Sequence, residues 1–305
     1  MISKTKKLNN GMIIPSIGLG TSRMVKPEEV IYHSIKDGAR LIDTASDYYN
    51  EDKIGKGIER ALKEGICKRE DLTIIGKIWI KDKKDPEKAL QKTLDNLLLD
   101  YIDIYVDHYP VSKDYREDKK DTFEYISIYD FWPNMEKLVE KGLAKSIGLS
   151  NYDIQTISNL LSFCTIKPVI LEVEFNLFFI QNNIKDFCKK ANIALISYYP
   201  MPFGNSVMKC LDIHPEFMVF DHHLIQLFSK KYNATPGQII LNWHLKNGVI
   251  PIPGTSKIDR MKENLKALEI NMADEDVEKL SQYFREIAIN RFCGCKRFFG
   301  INLFG

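Results

Sequence analysis

The sequence predicts an α/β fold, a (β/α)8 TIM barrel, on three observations. Eight short apolar runs recur along the chain, each bounded by turn-forming or charged residues. Longer amphipathic segments with apolar residues at helical spacing fill the intervals, the alternation that builds a parallel sheet. No Pro/Gly/Ser-rich linker, repeat or low-complexity tract divides the 305 residues, a length at which one barrel domain with insertions is ordinary. Doubly wound sheets share the alternation, but eight unbroken β-α units favour the closed barrel and one domain spanning 1–305.

The elements follow in chain order. Asn10-Gly11 is a strong hairpin-turn signal, so residues 1–15 are expected to form an N-terminal β-hairpin. The expected barrel strands are SIGLG (16–20), RLIDT (40–44), LTIIGKIW (72–79), YIDIYVDHY (101–109), KSIGLSN (145–151), KPVILEVEF (167–175), ALISYYP (194–200) and GVIPIPG (248–254). Among the helical segments are EEVIYHSIKDG, PEKALQKTLDNLLLD, WPNMEKLVEKG and IKDFCKKAN, several of which end on glycine, asparagine or aspartate. Two stretches escape the alternation and read as loops: the highly charged 111–130 after the fourth strand, and the aromatic-rich tail 285–305. Segments that follow barrel strands lie on the C-terminal face, so 111–130 is a candidate pocket wall, and the tail is expected to lie over the pocket.

Composition narrows the function classes. With 28% charged and 44% hydrophobic residues, a chain of this size builds its core without disulfides or metal. A net charge of +2 gives no strong field, which argues against general nucleic-acid or membrane-surface binding. No run of 18 uncharged apolar residues occurs and the first 15 residues lack a signal peptide's apolar stretch, so a cytoplasmic protein is expected. Cys67, Cys164, Cys188 and Cys210 stand alone, and Cys293-Gly294-Cys295 lacks further ligands nearby, so reduced thiols and no metal are expected.

The chemistry collects at strand ends. Asp43 closes one apolar strand, Lys77 sits among Ile74, Ile75, Ile78 and Trp79 of the next, and His108 comes near the end of another. A cation in such company needs a carboxylate, and Asp43 is the natural partner. Tyr48, in the loop after Asp43, would meet the same rim. Alone, Asp43 reads equally well as a helix cap and His108 as a polar contact. Together they supply an acid, a base, an imidazole and a phenol to one rim. A nearby ammonium favours the phenolate, making Tyr48 a better acid, and His108 can donate to a carbonyl oxygen.

Three segments resemble the signatures of the aldo-keto reductase superfamily, of the aldose and xylose reductase kind: GARLIDTASDYYNEDKIG (38–55), MEKLVEKGLAKSIGLSNY (135–152) and IPGTSKIDRMKENLKAL (252–268). The resemblance implies NADPH-dependent reduction of an aldehyde or ketone by a monomer, with NADH also possible and no G-x-G-x-x-G fingerprint required. It implies that Asp43, Tyr48, Lys77 and His108 form the catalytic tetrad, with Tyr48 the proton donor. It implies cofactor contacts from Thr21, Ser22, Asp43, Ser150, Asn151, Glu172, Tyr198, Met201, Thr255, Ser256, Lys257, Arg260, Glu263 and Asn264. Trp79, Tyr109, Phe298 and Phe299 are the expected substrate-pocket lining.

The chain departs from that pattern at several positions. Leu171-Glu172 stands where relatives read Asn-Gln, so a carboxylate replaces an amide that contacts the nicotinamide carboxamide. Gly254 replaces a lysine that often meets the 2′-phosphate, leaving Lys257 and Arg260 for that charge. Ser22 and Tyr109 stand where many aldehyde-reducing relatives carry tryptophan, so a wider or more polar mouth is expected. Asp107 should point outward toward the helices, where relatives are apolar. Two other classes fit parts of the pattern: a cofactor-binding regulatory subunit with little turnover, and a lyase using Lys77 as a Schiff-base nucleophile.

Overall fold

The computed structural model describes residues 2–114, 122–124, 126–202, 219–286 and 291. The chain begins with an antiparallel hairpin of β1 (Thr5–Lys7) and β2 (Ile13–Pro15), turned at Gly11, whose φ of +89° suits glycine. Its apolar residues Leu8 and Ile14 pack beneath the barrel interior, and Asn10 Nδ2 donates to Ser146 Oγ at 2.8 Å, so the hairpin floors the N-terminal end.

Eight parallel strands follow: β3 (Leu19–Gly20), β4 (Leu41–Asp43), β5 (Thr73–Ile78), β6 (Ile102–Asp107), β9 (Ala144–Ser150), β10 (Ile170–Glu174), β11 (Ala194–Tyr198) and β12 (Ile250–Pro251). Each coincides with one of the eight apolar runs, β9 beginning one residue ahead of its run at Ala144. Their spatial order is β12-β11-β10-β9-β6-β5-β4-β3, and the edges meet where Gly20 bridges Gly254 in parallel, with Gly18 N donating to Pro251 O at 3.0 Å. A Cβ at Gly20 would lie 2.9 Å from Ile252 O, so closure at this seam needs glycine. Where a loop was expected at 111–130, Ser112–Asp114 (β7) pairs antiparallel with Thr122–Glu124 (β8), and a helix already begins at Ile128.

Helices wrap the sheet: α1 (Pro27–Lys36), α2 (Glu51–Lys63), α3 (Pro86–Leu97), α4 (Ile128–Glu140), α5 (Ile154–Leu161), α6 (Asn182–Ala191), α7 (His223–Tyr232), α8 (Pro236–Lys246), α9 (Ile258–Leu265) and α10 (Asp274–Glu286). Several starts are written in sequence. Asp85 Oδ1 accepts from Lys88 N at 3.0 Å and Asp153 Oδ1 from Thr156 N at 2.7 Å, while Pro236 follows the capping Thr235. Among the described residues no helix is long and apolar enough to cross a membrane.

Strand alternation sorts side chains into two layers. Leu41, Ile75, Ile104, Val106, Ile170, Ala194, Ile196 and Ile250 fill the barrel, whereas Ile42, Ile74, Tyr105, Ile147, Leu149 and Leu171 belong to the larger core under the helices. Burying each such aliphatic side chain contributes roughly 1.5–3 kcal/mol before entropy is counted. Continuing the inward set to the strand ends brings polar residues to one mouth: Asp43, Lys77, Ser150, Glu172 and Tyr198. The barrel thus grades from an apolar floor to a polar C-terminal rim.

Candidate active site

Lys77 is the centre of that rim. Its side chain is fully buried, its Nζ donates to Asp43 Oδ2 at 2.5 Å and to Thr44 O at 3.3 Å, and Glu172 Oε1 lies 3.3 Å away. Tyr48 arrives on a 3-10 turn, Ser46–Tyr48, whose following residue Tyr49 has a φ of +55°. This geometry sets the phenol oxygen 3.4 Å from Lys77 Nζ, which donates to it. Burial pulls the Lys77 ammonium down, but the charges of Asp43 and Glu172 outweigh that and hold it well above the usual lysine range.

Burial pushes the Tyr48 phenol upward; the Lys77 charge pulls it back, while Asp43, Glu172 and Asp47 push it further up. The sequence reading expected the lysine to win. Desolvation wins instead, so Tyr48 keeps its proton and the site presents a neutral donor.

His108 lies one residue beyond β6 and is enclosed by rings. Tyr109 stacks on it with centroids 5.0 Å apart, Trp79 meets it edge-on at 5.2 Å, and Tyr48 edge-on at 5.9 Å. Asp47 Oδ1 is 3.1 Å from His108 Nδ1, a close approach without hydrogen-bond alignment. Sequence reasoning passed over Asp47, although its place beside Tyr48 on a short turn was the available signal.

Asn151, with a φ of +63°, leaves β9 in the left-handed region that asparagine tolerates. Its Nδ2 donates to His108 O at 2.9 Å and to Ser150 Oγ at 3.0 Å, and its Oδ1 accepts from Tyr198 Oη at 2.7 Å. The Asn151 amide therefore braces His108 and Tyr198. Ser150 is fully buried, and its hydroxyl proton remains to be donated. Glu172 Oε2 is buried with no hydrogen-bond partner. Two polar handles at this mouth thus suit the carboxamide of a nicotinamide.

The third segment meets the first at the barrel seam. Thr21, after β3, donates its hydroxyl to Asp43 O at 2.9 Å, and Ser256 Oγ accepts from Val25 N at 2.8 Å, which places 255–257 beside the Thr21-Ser22 loop. Lys257 and Arg260 are exposed at the start of α9, available to an anion. Glu263 faces α8 instead, accepting from Thr235 Oγ1 at 2.8 Å, and Asn264 is buried. Met201 is half-buried beside Gly237 at the N-terminus of α8. Phe298 and Phe299 lie outside the described residues, as do Cys210, Cys293 and Cys295; Cys67, Cys164 and Cys188 are free thiols.

A profile of the Aldo/keto reductase family matches residues 16–284. The chain belongs to the aldo/keto reductase family. It is 34% identical to an NADH-dependent D-xylose reductase of Candida parapsilosis over 92% of this chain and 92% of that protein. It is also 34% identical to an NADPH-dependent D-xylose reductase of Meyerozyma guilliermondii, over 93% and 95%. Among solved structures, a Bombyx mori aldo-keto reductase in complex with NADP superposes with a TM-score of 0.84 at 31% identity, covering 93% of each chain. The aldose reductase of Schistosoma japonicum gives 0.86 at 28%, covering 98% of this chain and 97% of that one. This aldo/keto reductase is thus an oxidoreductase whose relatives include both NADH- and NADPH-dependent enzymes.

Proposed function

We propose that this protein reduces the carbonyl of an aldehyde or ketone, an open-chain aldose such as D-xylose first among candidates, with NADPH preferred and NADH accepted. The observation that carries the reading is the contact of the Tyr48 phenol with the Lys77 ammonium at 3.4 Å, with His108 beside both. The cofactor supplies the hydride; every other task falls to side chains of this chain.

Tyr48 donates its proton to the oxygen that becomes an alkoxide as the carbonyl carbon accepts hydride. Lys77 remains charged throughout, stabilising negative charge as it develops on the phenol oxygen. Asp43 fixes the ammonium, and Thr44 O takes another of its hydrogens. His108, caged by Trp79, Tyr109 and Tyr48, orients the substrate oxygen. Ser150 and Glu172 would hold the nicotinamide carboxamide. Lys257 and Arg260 would meet the 2′-phosphate, which supports the preference for NADPH.

The test follows loss of reduced-nicotinamide absorbance with a reactive aromatic aldehyde and with D-xylose. Tyr48→Phe is expected to lower kcat by about 10²- to 10⁴-fold, the usual worth of a positioned proton donor, with NADPH affinity kept. Turnover unaffected by that substitution overturns the assigned donor, and wild-type protein that binds NADPH without consuming it is a binding subunit.

A further inference from the structure

We propose that a second buried ion pair, Lys83 with Asp107, is a positioning device that sets His108 and Tyr109 for the carbonyl substrate. The inference rests on the carbonyl-reductase reading of the site. Asp107 is the outward neighbour of His108, fully buried at the end of β6, where sequence alone offered no partner for it. Lys83 comes from the segment between β5 and α3, reaches Asp107 Oδ2 at 2.7 Å, and is itself 6% exposed. Tyr152, just beyond Asn151, donates its hydroxyl to the same oxygen at 2.5 Å, and the Phe131 ring of α4 lies 4.8 Å from Lys83 Nζ.

The third contact of the ammonium gives the pair its meaning. Lys83 Nζ donates to the main-chain carbonyl of Tyr109 at 2.5 Å. The regular ladder of β6 ends at Asp107, with His108 N still donating to Ile78 O of β5 at 3.3 Å, and the main-chain carbonyls of the two residues that follow are held by side chains. His108 O accepts from Asn151 Nδ2, and Tyr109 O accepts from Lys83. Tyr109 stacks on the His108 imidazole and meets Trp79 edge-on at 5.8 Å, so its main-chain anchor also fixes the wall against which the imidazole rests.

Stability alone does not explain the arrangement. Burial pulls the Lys83 ammonium down and pushes the Asp107 carboxyl up, and Asp107 Oδ1 has no hydrogen-bond partner. As far as the two charges are concerned, an apolar pair of similar volume would fill this space at no greater cost; what it would leave without partners are the Tyr152 hydroxyl and the Tyr109 carbonyl. A leucine and a methionine cannot hold the Tyr109 carbonyl.

The experiment follows from that difference. In the variant Lys83→Met/Asp107→Leu/Tyr152→Phe both charges and the hydroxyl that Asp107 accepts go together, so the fold is expected to keep a Tm within a few degrees of wild type and unchanged NADPH binding by fluorescence titration. KM for the aldehyde is expected to rise about tenfold or more, in line with the cost of small misplacements in an active site, with kcat changing less. A second comparison guards against misfolding. Asp107→Asn keeps the amine of Lys83 on the Tyr109 carbonyl and is expected to keep KM, whereas Lys83→Met/Asp107→Asn is expected to lose it. Wild-type KM in both Lys83→Met variants refutes the positioning role, as does a loss of NADPH binding that matches the loss of activity. Wild-type protein that consumes no NADPH with any aldehyde fails earlier, at the reductase reading itself.

Discussion

Replacing Glu172 by glutamine removes one of the two carboxylates that share the Lys77 ammonium and leaves a side chain of nearly the same shape. One cation flanked by Asp43 and Glu172 leaves a buried excess of negative charge, and the fold relieves it by taking up a proton. Burial and then the charge of Asp43 push the Glu172 carboxyl from 4.5 to about 8. Keeping it ionised in the fold therefore costs on the order of 5 kcal/mol. The sign follows from proton counting. Between about 4.5 and about 8 the folded chain holds a proton that the unfolded chain has released, so stability falls as pH rises, by about 1.4 kcal/mol per unit, and levels off above. Glu172→Gln has no such proton to lose. Its Tm advantage over wild type is expected to be small at the acidic end and to widen with pH to roughly 10 °C above about 8, taking a few degrees per kcal/mol at this chain size. Activity should move with it. Ionised Glu172 pushes the Tyr48 phenol further up and weakens it as an acid, so the reductive rate of wild type falls on the alkaline side where that of Glu172→Gln persists. Whichever carboxylate holds the proton at a given moment, removing Glu172 removes the uptake. Tm curves that run parallel across this range, in wild type and variant, would refute the reasoning.

Further outcomes follow from the same geometry. Lys77→Met strands the buried carboxylate of Asp43 and is expected to lower unfolding free energy in urea at neutral pH by about 3–5 kcal/mol while abolishing turnover. Arg260→Ala is expected to raise KM for NADPH by about 10-fold or more and leave KM for NADH unchanged, because only the former carries the 2′-phosphate. Gly55→Ala, whose Cβ would lie 2.5 Å from Asn96 O, forces α2 from α3 and is expected to cost about 1–3 kcal/mol in urea unfolding.

The barrel was legible because strand alternation is a physical period that the sequence writes directly. Leu41, Asp43, Ile75 and Lys77 share the inward face for the same reason that Ile42 and Ile74 share the outward one. The meeting of Asp43, Lys77, Tyr48 and His108 was legible too, since a cation inside an apolar strand demands a counter-charge and Asp43, at the end of a neighbouring strand, was the natural one, with Tyr48 and His108 arriving at the same rim. Other features hung on distances that no period encodes. That Glu172 stands as close to Lys77 as a second counter-ion depends on the curvature that carries β10 around to β5, and the two are not neighbours in the sheet. Lys83 sat in a run of lysines, KDKKD, where nothing in the sequence set one cation apart from the rest. The direction of the Tyr48 shift was misjudged because proximity to an ammonium is readable from sequence and desolvation is not.

Two buried lysines now bracket the end of β6, and their charge balance differs in a way that assigns them different work. Lys77 faces the interior with two carboxylates and a phenol about it, an arrangement whose net charge changes with pH and with anything positive that enters the mouth. Lys83 faces the helices with one carboxylate, one phenol and one main-chain carbonyl, a closed set with no charge left over. The first group can respond to chemistry; the second can only hold. Because Asp107 and His108 are consecutive residues on opposite faces, the holding group and the responding group share a single stretch of main chain. Loosening the outer pair therefore displaces the imidazole without altering any charge that the cofactor would meet, and this is why substrate KM and cofactor affinity are expected to separate when Lys83 is changed, whereas changing Lys77 removes turnover itself.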